Sequence, residues 1–126
     1  MVKRSIGLNE QSSLTFTVNA NAWTQVGLVV EDHETFLGAE MLPVLAKKIV
    51  SAIDEYKDRD SVGVIDGLPV IAVISLSEKH SSIFLNVAED GAVFFFQDPD
   101  GEKVESISAS YAAINELKGF LYALLN

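Results

Sequence analysis

Ser82-Ile83-Phe84-Leu85-Asn86-Val87-Ala88 is followed by Glu89-Asp90-Gly91 and then by Ala92-Val93-Phe94-Phe95-Phe96-Gln97. Two apolar runs of strand length flank a short polar connection that ends in glycine. Acids and a glycine in so tight a link are hairpin chemistry, so the two runs pair antiparallel. Working outward, Val62 to Ile65 and Val70 to Leu76 read as strands separated by a turn at Asp66-Gly67-Leu68-Pro69. Beyond Gln97, Asp98-Pro99-Asp100-Gly101 suits a type I turn closed by a left-handed glycine, and Lys103 to Ser106 reads as the last strand of a meander. Ser106 or Ser108 then caps a final helix whose Ala109, Ala113, Leu117, Leu121 and Leu124 share one stripe.

Toward the N-terminus, Leu14-Thr15-Phe16-Thr17-Val18 alternates with the period of a half-buried strand, and Gln25 to Val30 reads as a second. From Glu31 onward the period changes. Phe36, Met41, Leu42, Leu45, Ile49, Ile53 and Tyr56 recur at helical spacing, and Pro43 fits only near the start of a helix. The spacing predicts the main helix at about 42–58, after a looser turn containing Gly38. The first dozen residues, 1–12, read as a polar tail. No linker or internal sequence repeat divides the chain, so 1–126 is expected to be a single globular domain. The order β-β-α-β-β-β-β-α predicts an α+β fold, with two principal helices against an antiparallel sheet of about five to six strands.

Five strands make a sheet roughly 24 Å wide, and two helices of about 10 Å cover one of its faces. Two central strands are nonetheless apolar on both faces. Val70, Ala72 and Ile74 oppose Ile71 and Val73, and Phe94 and Phe96 oppose Val93 and Phe95. Either each face receives a helix or one keeps an apolar patch of the kind that marks partner surfaces.

The chain has 126 residues, 48% of them apolar, with 18 acids against 9 bases, a net charge of −9 and no cysteine. That composition sustains a real core and excludes disordered, disulfide-stapled and zinc-ribbon proteins. A surface this acidic repels phosphate, so neither direct nucleic-acid binding nor docking on an anionic membrane is expected. Met1-Val2-Lys3-Arg4-Ser5-Ile6-Gly7 runs into polar residues without an apolar segment, from which a cytoplasmic, bacterial protein is expected.

Catalytic patterns are sparse. There is no Gly-x-Ser-x-Gly elbow, and His33 and His80 are the only histidines. His80-Ser81-Ser82 places an imidazole near a hydroxyl, but neighbours on a turn do not face each other productively. Glu31-Asp32-His33-Glu34 is the most metal-like cluster, yet consecutive residues cannot all converge on one ion. Asp98-x-Asp100-Gly101 matches only a fragment of a calcium loop. No glycine-rich phosphate cradle opens a helix. No catalytic residue, metal or cofactor is assigned.

Charge distribution is more informative. No Lys or Arg lies between Ser5 and Ala46, where Glu10, Glu31, Asp32, Glu34 and Glu40 fall. None lies between His80 and Glu102 either, where Glu89, Asp90, Asp98 and Asp100 fall. A third group is Asp54, Glu55, Asp58 and Asp60. Complementary fields speed association and suppress wrong partners. The expectation is therefore a non-catalytic inhibitor or immunity-type protein that neutralises a basic partner, such as a toxin or nuclease, by stoichiometric binding. Glu31, Asp32, Glu34, Asp54, Glu55, Asp58 and Asp60 are the candidate contacts, with Trp23 and Tyr56 as aromatic anchors. The second expectation is a homodimeric structural or chaperone-like module, and the third an enzyme or small-ligand binder with an unrecognised pocket.

Overall fold

The computed structural model describes residues 1–78, 81–97 and 104–125. His80 and the Asp98-Pro99-Asp100-Gly101 turn lie outside the described residues. The chain is an α+β protein in which the same architecture occurs twice. A first four-stranded antiparallel meander, β1 (Val2–Gly7), β2 (Ser12–Val18), β3 (Trp23–Val30) and β4 (His33–Met41), leads into α1 (Leu42–Glu55). A small hairpin, β5 (Gly63–Ile65) and β6 (Leu68–Val70), follows. A second meander, β7 (Ala72–Ser75), β8 (Ser82–Ala88), β9 (Gly91–Gln97) and β10 (Val104–Ser110), then leads into α2 (Tyr111–Leu125).

The two sheets join at one seam. Ala39 donates its N–H to Ser77 O at 3.1 Å, and Ser77 donates to Ala39 O at 2.9 Å, so β4 touches the chain just past β7 as an antiparallel bridge. Both helices lie on the inner side. Leu45, Ile49 and Ile53 of α1 and Ile114, Leu117 and Leu121 of α2 share one core with Leu14, Phe16 and Leu28 of the first sheet and Ile74, Leu85 and Phe94 of the second. Phe16 and Phe120 bring their ring centroids to 5.5 Å and tie the first sheet to α2. The helices also bind each other. Lys118 Nζ donates to Asp54 Oδ1 at 2.8 Å and Tyr122 OH to Asp54 Oδ2 at 3.2 Å.

With both helices inside, the second sheet's outer face keeps the apolar side chains that its sequence places there. Val73 is exposed, Phe84 and Val93 are half-buried, and Phe95 is buried outside the main core. The β5–β6 hairpin lies against one end of this face, where Asn86 Nδ2 donates to Pro69 O at 2.8 Å.

Several boundaries differ from those the sequence predicts: Leu68 and Pro69, expected in a turn, are strand residues of β6, and the strand expected from Val70 to Leu76 is divided at Ile71. Residues 2–7 are not a tail but strand β1, paired from Val2↔Val18 to Gly7↔Ser13, and Ile6 and Leu8 enter the core. The polar Lys3, Arg4 and Ser5 disguise it. Phe36 and Met41 belong to β4, not to a turn before the helix. A bulge opposite Val26 and Gly27 breaks the two-residue alternation of β4, and the remaining spacing mimics a helix. β10 runs on to Ser110, so Ser106, Ser108 and Ala109 are strand residues; the cap of α2 is Ser110, whose Oγ accepts the Ala113 N–H at 3.1 Å. The main helix does begin at Leu42 with Pro43 in its first turn, and a single 3₁₀ turn, Tyr56–Asp58, continues it.

Candidate functional site

At the edge opposite the joined seam, the two sheets stand apart. The β1–β2 turn is a compact unit: Leu8 donates to Ser12 O at 2.8 Å, and Gln11 N–H bonds the Asn9 side chain at 2.9 Å. Asn9 Nδ2 reaches across to Ser108 O on β10 at 2.9 Å. Around this bridge opens a cleft of about 930 Å³. Its walls are the β1–β2 turn, the β8–β9 turn, the end of β10 and the first turns of α2. Gly7, Gly91, Ala92, Ala109, Ala112 and Ala113 keep the lining small, and three carboxylates stand on it, Glu10, Asp90 and Glu116.

Among the described residues, no Lys, Arg or His lines the cleft. Lys57 pairs with Glu89 of the adjoining β8–β9 turn at 3.7 Å. Glu10, Asp90 and Glu116 make no ion pair among the described residues. The neighbouring β3–β4 turn adds Glu31 and Asp32, since Glu31 donates its N–H to Gln11 O at 2.7 Å and so holds the two turns side by side. One end of the molecule thus presents carboxylates in a concave setting with no cation among the described lining residues, and a cleft of one sign of charge raises the local concentration of opposite charges.

The residues singled out by sequence fall into two sets. Glu31, Asp32, Asp58 and Asp60 are exposed and make no ion pair among the described residues. Glu34, Asp54 and Glu55 are already engaged. Glu34 accepts from Thr15 Oγ1 at 3.1 Å and pairs with Lys3 at 3.6 Å, Asp54 clasps α2, and Glu55 pairs with Arg59 at 3.7 Å. Trp23 is half-buried and donates Nε1 to Glu78 at 3.1 Å, while Tyr56 packs on the core with Lys57 5.9 Å from its ring centroid. The hydrogen bond to Asp54 holds the Lys118 ammonium above its ordinary pKa, against the opposing effect of desolvation.

Among the described residues, no three His, Asp or Glu side chains converge as metal ligands. Glu31 takes φ +57° in the β3–β4 turn and Glu34 turns toward Thr15, so the sequence cluster around His33 diverges. No helix among the described residues is long and apolar enough to cross a membrane. Sequence reasoning missed that Glu10, Asp90 and Glu116 line one cleft, because they lie on three separate elements and carry no local pattern. No protein-family model matches the chain, and no curated protein is significantly similar to it.

Proposed function

We propose that this chain is a non-catalytic binding protein that neutralises a basic partner protein by direct stoichiometric association, as an inhibitor or immunity protein does. The observation that carries this reading is the cleft itself, in which Glu10, Asp90 and Glu116 stand with no cation among the described lining residues. An arginine or lysine entering there meets carboxylates that need surrender no existing ion pair. The exposed Glu31 and Asp32 beside it extend the same field and favour fast, salt-dependent encounter.

Capture from a lysate at low and high salt supplies a candidate, and stopped-flow mixing with that purified protein supplies the test. The association rate should fall as salt rises, and replacing Glu10, Asp90 and Glu116 together by amides should slow it by about tenfold at low ionic strength. A rate indifferent to both changes removes the cleft from the function.

A second reading is favoured by the β5–β6 arm, where Val62 and Val64 are 68% and 66% exposed. Self-association through that arm would make the chain a homodimeric structural or chaperone-like module. Sedimentation across a concentration series separates the two, and a concentration-independent monomer excludes the dimer.

A further inference from the structure

We propose that the open seam takes up an extended, basic segment of the partner as a strand added to β10. The proposal rests on the basic-partner reading above and specifies the form in which the partner presents itself. β10 is the edge strand of its sheet, so one side of its backbone has no strand partner among the described residues. Ser108 shows which groups face outward, because its carbonyl accepts from Asn9 on the side away from β9. The N–H and C=O of one strand residue point the same way and reverse at the next, so Val104 and Ser106 also present their backbone groups outward.

Three features make this edge receptive. First, α2 packs against both β10 and β1 and so floors the gap between them, with Ala112 and Ala113 too small to obstruct a backbone. Second, β10 carries none of the usual guards against strand addition, having neither proline nor a cation from Val104 to Ser110. The opposite edge, β1, has such a guard in Lys3 and Arg4. Third, among the described residues the charges on β10 and on the lining of the cleft are acidic, Glu105 on the strand and Glu10, Asp90 and Glu116 at the cleft. Backbone pairing supplies the affinity in strand addition and alternate side chains supply the selectivity. Here the selected side chains are Lys or Arg.

The probe is a peptide of about nine residues alternating Lys and Val, compared with a Glu/Val counterpart and with a Lys/Val peptide N-methylated on alternate backbone nitrogens. Amide exchange is read by NMR on the full chain. The Lys/Val peptide should slow exchange at Ser106 and Ser108 by about tenfold or more, and the N-methylated peptide should not. Ser106→Pro removes an outward N–H without touching the β9 ladder and should abolish binding. Glu10→Gln with Glu116→Gln should weaken it by about fivefold at low salt. If the peptide binds with β10 exchange unchanged, or binds as well when N-methylated, strand addition is overturned and the basic-partner reading stands. If the Glu/Val peptide protects β10 equally, strand addition is supported and the basic-partner reading falls. Absence of binding by any of the peptides overturns the proposal, and the N-methylated arm decides it should the proline variant fail to fold.

Discussion

Replacing Gly38 with alanine tests the joined seam directly. Gly38 sits at φ +144° beside the bulge in β4, and a Cβ there would lie 2.6 Å from both Leu76 Cβ and Ser77 O. Ser77 is the residue that exchanges backbone hydrogen bonds with Ala39, and its Oγ donates to Ala39 O at 2.9 Å as well. An L-residue held at this φ costs roughly 1–3 kcal/mol. Relieving the clash means moving Ser77 away from Ala39, which weakens two backbone bonds with a net worth of about 1 kcal/mol each. Gly38→Ala should therefore destabilise the fold by about 3–4 kcal/mol, or lower the midpoint of thermal unfolding by about 10–15 °C in a domain of this size. Urea unfolding followed by Trp23 fluorescence measures the free energy. Gly119→Ala serves as the control, because a Cβ at that helical position meets nothing within 4 Å and should stabilise by about 0.5–1 kcal/mol. A cost below about 1 kcal/mol for Gly38→Ala, with the control behaving as expected, would show that the sheets do not depend on this junction.

Gly91, at φ +154°, would place a Cβ against Ala109 O across the β9–β10 ladder, so Gly91→Ala should cost about 2–4 kcal/mol in urea unfolding. Ser110→Ala removes the cap of α2 and should cost about 1 kcal/mol, with Ser110→Asp recovering most of it. Lys118→Met breaks the clasp to Asp54 and should cost under about 1 kcal/mol at neutral pH, since the pair is partly exposed. Because the folded-state pKa of Lys118 is raised, its contribution is complete below the ordinary lysine value of about 10.4 and is lost as pH climbs through the higher folded value. The stability difference between wild type and Lys118→Met should accordingly stay level from neutral pH to about 10 and shrink above it; a difference that disappears already at pH 8 would contradict the assignment.

The second meander was legible in β8 and β9, which keep an unbroken period across a short polar turn, whereas β10 reads short because Ser106 and Ser108 resemble helix caps. Its hairpin at Glu89-Asp90-Gly91 and the helix starting at Leu42 stand where periodicity and turn chemistry put them. The first meander was half hidden for physical reasons. β1 is an edge strand whose Lys3, Arg4 and Ser5 face water, leaving only Ile6 to carry an inward signal. β4 loses its alternation at the bulge that lets Gly38 approach Ser77. The duplication of a four-stranded meander followed by a helix was invisible because it resides in backbone order and not in matching residues. The acidic rims were visible as base-free stretches, and Glu10 and Asp90 fall within them. Glu116 joins them only because α2 lies beneath the seam, a tertiary consequence that no local window contains.

That tertiary arrangement also decides which acids are worth most to a partner. Lys3, Lys57, Arg59 and Lys118 account for the four ion pairs among the described residues, and they engage Glu34, Glu89, Glu55 and Asp54. A cationic side chain that sought Asp54 would have to displace Lys118 and Tyr122, giving up one charge-assisted contact for each one gained. At Glu10, Asp90 and Glu116, which stand exposed on the concave wall and make no ion pair among the described residues, no such exchange is needed. Equal formal charge therefore carries unequal binding free energy. On the proposed reading, the excess of acids sets the sign of the field that would draw a basic protein in, whereas the internal placement of the few bases determines where it would be held. On that ground the seam between the β1–β2 turn and β10 outranks the end of α1 as the proposed contact surface, although the end of α1 has the denser run of acids in the sequence.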